Sequence, residues 1–144
     1  MLYRCRLRRR TDNGDDCQEV SACQGPRSSF VLDDVNCVWT NLDIDELMYL
    51  STCNRVEFII SHKKKITKTF VEKLIKYLLA DQLLPNLKDI VDRAEIINNK
   101  AAVHHIFSVA SSIDSLVVGE REIITQVRKA FEECRENNLC GDII

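Results

Sequence analysis

The fold of this chain is predicted from a β-hairpin pattern at residues 47–60, LMYLSTCNRVEFII. Two short β-prone runs, 47–50 and 56–60, flank a polar stretch, Ser-Thr-Cys-Asn-Arg, at 51–55. Such runs separated by turn-forming residues are typical of two strands joined by a tight connection. We therefore expect Cys53 to lie at the connection between two strands.

The segment after the hairpin predicts a helix that packs on a sheet. Thr69 and Glu72 have capping-box spacing at its start, and Pro85 follows its end. Residues 87–91 predict one or two further helical turns, and residues 94–97 a short strand. The apolar residues at helical spacing in the main helix are Phe70, Val71, Leu74, Ile75, Leu78 and Leu79.

Two more helices are predicted towards the carboxyl end. Asn98 or Asn99 caps the first, whose expected core face carries Val103, Ile106, Phe107, Ala110 and Val117. His105 falls on the opposite, polar side of this wheel, so we expect it outside the core. The second helix follows Gly119, and its apolar register, Ile123, Ile124, Val127, Ala130, Phe131 and Cys134, places Cys134 in the core.

The amino-terminal part of the chain is less regular. Tyr3, Cys5 and Leu7 alternate with arginines, as an edge strand does, and residues 32–42 have helical spacing. The predicted order is strand, helix, strand, strand, helix, strand and two helices. This order indicates an α+β fold, a ferredoxin-like βαββαβ antiparallel sheet with two additional C-terminal helices, and one domain over residues 1–144.

Composition excludes several classes of protein. The 144 residues carry a net charge of -2, so a nucleic-acid partner must use local patches, at residues 4–10 or at Lys63 to Lys68. No signal-like or membrane-length apolar run is present, and we expect a soluble, cytoplasmic protein with no membrane partner. The seven cysteines include no C-x-x-C pair, so we expect no metal site and reduced thiols.

Cys53 is the candidate nucleophile. Catalysis by cysteine requires an accessible thiolate with a nearby cation, and Arg55 supplies a planar cation that suits recognition of a carboxylate. Thr52 and Asn54 add short polar groups. The alternative from these residues alone is that Thr52 and Asn54 form the turn, Arg55 is a surface charge and Cys53 is a buried filler.

Three stretches resemble the N-terminal catalytic domain of glutamyl-tRNA reductase. They are LSTCNRVE at 50–57, VASSIDSLVVGE at 109–120 and QVRKAF at 126–131, together with His105, and the resemblance covers residues 47–137. It implies that a cysteine attacks the ester carbonyl of glutamyl-tRNA, that the tRNA leaves, and that NADPH reduces the thioester. The product is glutamate-1-semialdehyde, the entry to tetrapyrrole (porphyrin) biosynthesis.

The same resemblance assigns site residues. Cys53 is the nucleophile, and His105 polarises the carbonyl or assists proton transfer. The residues implied to line the glutamyl pocket are Thr52, Asn54, Arg55, Ser115, Glu120, Arg121, Glu122 and Gln126. Taken singly, Ser115 and Glu120 are better explained as ordinary polar residues at helix ends, and Gln126 as part of the flank of the last helix.

The chain departs from the family pattern in three ways. Residues 1–30 lack the usual histidine-lysine and proline turn, and 119–122 reads Gly-Glu-Arg-Glu where the family commonly has Gly-Glu-Pro-Gln. No G-x-G-x-x-G follows a strand, so we expect the NADPH-binding domain, like the distal dimerisation domain, to lie outside this chain. We expect a fragment that at most forms the thioester and lets water hydrolyse it.

Partners follow from the same resemblance. We expect glutamyl-tRNA as substrate, a homodimer for the full-length protein, and glutamate-1-semialdehyde aminomutase as a channelling partner. The alternative function is a non-catalytic ferredoxin-like ligand-binding or protein-interaction module in which Cys53 is inert.

Overall fold

The structure, a computed structural model, describes residues 1–8, 41–51, 55–78, 87–111 and 121–144. Its strands are β1 (Leu2–Arg8), β2 (Glu46–Ser51), β3 (Arg55–Ser61) and β4 (Glu95–Asn98). Its helices are α1 (Lys68–Leu78), α2 (Leu87–Arg93), α3 (Asn99–Ala110) and α4 (Arg121–Glu136). The chain is therefore of the α+β class, as predicted. Of the helix expected over residues 32–42, only Asn41 and Leu42 lie within the described residues, and both are helical.

The four strands form one antiparallel sheet in the order β2-β3-β1-β4. β1 thus lies between two strands, and the expectation of an edge strand was wrong. In the sequence, the arginines of β1 suggest a solvent-exposed face. In the structure, Arg4 is only 3% exposed and donates to the Glu95 carboxylate at 2.9 Å. An ion pair with β4 satisfies a charge that an edge strand would leave in water.

The core lies on both sides of this sheet. Alternation along β1 places Tyr3, Cys5 and Leu7 on the face opposite Arg4 and Arg6. The three apolar residues share a cluster with buried side chains of α1 and α2, namely Val71, Leu74, Ile75 and Val91. The Lys68 ammonium joins these two helices because it donates to the carbonyls of Val91 and Asp92, at 2.8 and 2.9 Å, and to that of Ala94.

The cap of helix α1 lies two residues before the predicted cap. Thr67 Oγ1 accepts a hydrogen bond from the Phe70 N–H at 3.3 Å, so Thr67 rather than Thr69 caps the first turn. The capping-box signature requires an acid or amide three residues after the cap, and Phe70 occupies that position. The observed cap therefore has the capping hydroxyl of Thr67 but lacks the acid or amide that completes a capping box.

Helix α3 presents a different face to the sheet from the one predicted. Ala102, His105 and Val109 are buried, whereas Val103 is 39% and Phe107 68% exposed. The expectation that His105 lies outside the core was therefore wrong. Apolar residues occur on both sides of this helix, so their periodicity does not decide between them, and a buried carboxylate on β3 selects the side of His105.

Helix α4 and the segment after it pack against β2, at one edge of the sheet. Cys134 is buried, as predicted, and the Leu47 N–H of β2 donates to the Leu139 carbonyl at 2.8 Å. The Glu46 carboxylate accepts hydrogen bonds from the N–H groups of Ile143 and Ile144. None of the helices in the described ranges is long and apolar enough to cross a bilayer.

Candidate functional site

The β2-β3 hairpin positions the candidate nucleophile. Ser51 is paired with Val56 and Leu50 with Glu57, so the connection between the strands is short. Thr52, Cys53 and Asn54 form that connection and lie outside the described residues. Arg55 is the first residue of β3, and its backbone pairs with Arg8 of the central strand. Both ends of the segment that carries Cys53 are therefore held by sheet hydrogen bonds.

A buried carboxylate–imidazole pair lies two residues along β3 from Arg55. The Nε2 atom of His105 on α3 is 3.0 Å from both carboxylate oxygens of Glu57. Glu57 is 1% and His105 9% exposed. A carboxylate removed from water requires hydrogen-bond donors, and this histidine supplies one from the helix that covers the strand.

Arg6 of β1 adds a cation to this pair. It lies opposite Glu57 in the sheet register, and its Nε is 3.6 Å from Glu57 Oε1. Taking one carboxylate out of water costs several kcal/mol unless a charge and hydrogen bonds compensate for it. The central position of β1 thus serves the site, because it places a guanidinium beside the carboxylate that holds His105.

A small apolar cluster packs beside the hairpin end. Leu50, Val109 and Ala130 are buried together, with Ile123 and Val127 of α4 against them. Leu50 is the cross-strand neighbour of Glu57, and Val109 lies one helical turn beyond His105. The cluster therefore fixes α3 and the first half of α4 against the end of the sheet that carries the Thr52–Asn54 connection.

Only some of the other predicted pocket residues lie within the described residues. Ser115 and Glu120 lie outside the described residues. Arg121 opens α4, Glu122 is exposed in its first turn, and Gln126 is half-buried on the next turn. The Gln126 Oε1 atom is buried and has no hydrogen-bond partner among the described residues. It follows that α4 brings an unsatisfied acceptor to the region where Val127 packs against Leu50.

The described cysteines have contrasting thiol chemistry. Burial raises the pKa of Cys5 to about 12. Interaction with the Cys140 thiol lowers the pKa of Cys134 to about 7, and the same interaction raises the pKa of Cys140. Cys5 is therefore inert, whereas Cys134 holds a thiolate more readily but is buried. Among the residues that the structure describes, no group of His, Cys, Asp or Glu side chains is arranged to hold a metal ion.

Sequence reasoning did not identify Glu57 or Arg6 as part of this site. The signal was a lone acid inside an otherwise apolar strand, Val-Glu-Phe-Ile-Ile, and arginines inside another strand. Charges at such positions indicate either a solvated face or a buried ion pair, and only the strand order distinguishes the two.

Comparison with known sequences identifies close relatives over most of the chain. The family profile described as glutamyl-tRNAGlu reductase, N-terminal domain, matches residues 18–144. A glutamyl-tRNA reductase of a Nitratiruptor species is 43% identical over 98 residues, which is 68% of this chain and 22% of the relative. One from Campylobacter concisus is 41% identical over 109 residues, 73% of this chain and 24% of the relative. The chain thus spans under a quarter of the length of these curated relatives.

The fold is also found in a solved structure. The glutamyl-tRNA reductase from Methanopyrus kandleri superposes with a TM-score of 0.68 at 23% sequence identity, over 98% of this chain and 30% of that chain. At this identity the likeness concerns the fold. It includes β1, which precedes the residues that the family profile matches.

Proposed function

Because the chain belongs to the glutamyl-tRNA reductase family, to the part described as its N-terminal domain, we propose that it is the unit of such an enzyme that binds glutamyl-tRNA and forms the thioester. The observation that carries the proposal is the buried His105–Glu57 pair beside the hairpin whose connection contains Cys53. A nucleophile on a tight connection between paired strands, with an imidazole held nearby, is the arrangement that acyl transfer requires.

In the proposed reaction the Cys53 sulfur attacks the ester carbonyl carbon of glutamyl-tRNA. A carbon–sulfur bond forms, the bond from that carbon to the ribose oxygen breaks, and the thiol proton ends on the departing ribose hydroxyl. His105 is the proposed carrier of that proton. The step needs no reactant other than the thiol and the ester. In this chain without a reductant, water hydrolyses the thioester and releases glutamate.

The proposed pocket recognises both charged groups of the glutamyl moiety. Arg55 is assigned to the side-chain carboxylate, for which its planar fork is suited. The Gln126 Oε1 atom is assigned to the α-ammonium group, because a buried acceptor without a partner in the described part of the chain is suited to a cationic donor. The remaining residues proposed to line the pocket are Thr52, Asn54, Ser115, Glu120, Arg121 and Glu122.

Reduction by NADPH belongs, in this proposal, to the whole protein. The groove of about 320 Å³ between α3 and α4 is lined by apolar side chains and offers no cation for the phosphates of the cofactor. The sequence also lacks the glycine-rich phosphate turn. The homodimer, the transfer to glutamate-1-semialdehyde aminomutase, the cytoplasmic location and the role in porphyrin biosynthesis are likewise proposed for the full-length protein.

The strand order β2-β3-β1-β4 supports the ferredoxin-like arrangement within this proposal. Two βαβ units that share a central hairpin produce this order with antiparallel neighbours throughout. The sheet then presents the β2-β3 connection at one end, where α3 and α4 meet it.

Substitution of Cys53 tests the proposed function. We expect Cys53→Ser to slow the release of glutamate from glutamyl-tRNA by at least about 1,000-fold, because the hydroxyl lacks thiolate nucleophilicity. The matched control is Cys140→Ser, which alters a half-buried thiol beside Leu47, at the opposite end of β2 from Cys53. A Cys53→Ser chain with full activity would show that acyl transfer does not use this thiol.

An interaction module is the second candidate, and the exposed apolar groove favours it. Val103, Phe107 and Ile143 present apolar surface there. In that case Cys53 is inert, and alkylation at neutral pH distinguishes the two candidates. We expect Cys53 to react faster than the other six cysteines. Because the pKa of Cys134 is about 7, peptide mapping is needed to distinguish a label on Cys134 from one on Cys53.

A further inference from the structure

We propose that Glu57 is a positioning residue that selects the tautomer of His105, so that the imidazole Nδ1 atom is the one that exchanges the proton in the acyl-transfer step. The inference rests on the proposed function. The observation behind it is that both Glu57 carboxylate oxygens lie 3.0 Å from the same ring nitrogen of His105, Nε2, and that both side chains are buried.

The hydrogen-bonding inventory assigns the proton. An ionised carboxylate accepts hydrogen bonds and donates none, so the ring nitrogen that faces it is the one that carries hydrogen. In a neutral imidazole the other nitrogen then has no hydrogen and can accept one. Glu57 thereby leaves Nδ1 of His105 as the basic atom of the ring.

The pair is held by rigid elements. Glu57 lies within β3, which is paired on both sides, with β1 and β2. His105 lies in the middle of α3, between the buried residues Ala102 and Val109. Arg6 contacts the carboxylate from the central strand. A group oriented by such a neighbour keeps one ring position and one tautomer between turnovers.

The sequence separation limits how far this pair can lie from the proposed nucleophile. Cys53 is four residues before Glu57, which limits their Cα atoms to about 14 Å apart, even in a fully extended chain. The proposed proton path joins Cys53 and the Nδ1 atom of His105. Nδ1 accepts the Cys53 thiol proton as the carbon–sulfur bond forms and returns it to the ribose oxygen as the carbon–oxygen bond breaks.

A purely structural pair would also be buried and would also be destabilising to break. The two roles differ in what a double-mutant cycle measures. A positioning residue acts only through His105, so its loss changes nothing once His105 is gone. A structural residue lowers activity in either background.

The test measures the rate of glutamyl-adduct formation on Cys53 in the whole chain with glutamyl-charged tRNA, for four proteins: wild type, Glu57→Gln, His105→Asn and the double variant. We expect Glu57→Gln to slow the reaction at least about 100-fold, because its amide can donate to Nε2 and favour the wrong tautomer. In the His105→Asn background we expect the same substitution to change the rate by less than about 3-fold. The matched control, Glu95→Gln, removes the carboxylate that pairs with Arg4 on the same sheet and should leave the rate unchanged.

A spectroscopic arm needs no substrate. Two-bond proton–nitrogen correlation spectra of the wild-type chain should show His105 with hydrogen on Nε2, and Glu57→Gln should shift it towards the other tautomer. An Nδ1–H tautomer in the wild type, or rate losses that multiply in the double variant, would overturn the positioning role. If the wild type forms no adduct at all, the proposed function fails with it, whereas an adduct in the wild type with an unaffected Glu57→Gln chain overturns this inference alone.

Discussion

At the scale of single residues, the buried charged side chains Arg4 and Glu57, both within the described residues, contact partners on elements far away in sequence. Arg4 pairs with Glu95, and Glu57 contacts both Arg6 and His105. Each pair joins a strand to another strand or to a helix. The burial of each charged side chain therefore depends on the tertiary structure that brings its partner close. Within the proposed function, Glu57 links the central strand, the nucleophile's hairpin and the helix that carries the imidazole.

The Cys5 thiol gives a prediction of how stability depends on pH. Burial raises its pKa from 9.0 to about 12, so the folded chain holds the thiol proton more tightly than the unfolded chain. This contribution is fully present below pH 9 and is lost as pH rises from 9 towards 12. Between pH 8 and pH 10 we expect it to fall by about 1.3 kcal/mol.

Urea unfolding at the two pH values measures this loss. The matched control is Cys5→Ala, which lacks the thiol and should lose less stability over the same interval, although it starts from a lower value because of the cavity. Equal losses in the two proteins would mean that the Cys5 thiol does not control alkaline stability.

At the scale of elements, the ammonium of the exposed Lys68 caps the carboxyl end of helix α2. Its ammonium donates to the carbonyls of Val91, Asp92 and Ala94. We expect Lys68→Met to reduce the free energy of unfolding by about 1–3 kcal/mol, because these carbonyls lose a charged donor. Urea unfolding measures the effect, and the exposed Lys65→Met is the control, with an expected change within about 0.5 kcal/mol. Equal effects of the two substitutions would contradict the capping role.

The contacts of Lys68 reduce the number of lysines available in the basic patch, Lys63 to Lys68, that is predicted to contact tRNA phosphates. Lys68 is occupied by α2, and Lys63 lies 3.2 Å from Asp45 while remaining 81% exposed. Lys64 and Lys65 are exposed as well. If this patch binds the substrate, replacing Lys63, Lys64 and Lys65 with Gln should lower the slope of tRNA binding against salt concentration by about one unit for each phosphate that is no longer neutralised. Filter binding over a salt series measures it, and an unchanged slope would remove the patch from the interface.

At the scale of the whole molecule, the elements with a strong local pattern were predictable. Helices α1, α3 and α4 and the β2-β3 hairpin follow from hydrophobic period and turn residues, and β4 was expected within one residue of its position. The burial of Arg4 on β1 and the buried face of α3 were not predictable. Both depend on ion pairs with partners at least 48 residues away in sequence, which local periodicity does not contain.

The central strand should be essential for folding although it precedes the matched family region. Removal of residues 1–8 leaves β3 and β4 without their shared partner and exposes the Glu57 carboxylate, so we expect no cooperative unfolding transition by circular dichroism. Removal of residues 142–144, whose backbone binds the single side chain of Glu46, is the control and should leave a cooperative transition. A folded chain without residues 1–8 would contradict the assigned role of β1.

The central claim is that Cys53 receives the glutamyl group. The most direct test is mass spectrometry of the chain after brief incubation with glutamyl-charged tRNA and an acid quench, with the modified peptide identified. We expect a glutamyl adduct on the peptide that contains Cys53 and on no other cysteine, including Cys134 with its lowered pKa. An unmodified, folded chain with the tRNA ester intact, or an adduct on a different cysteine, would contradict the claim.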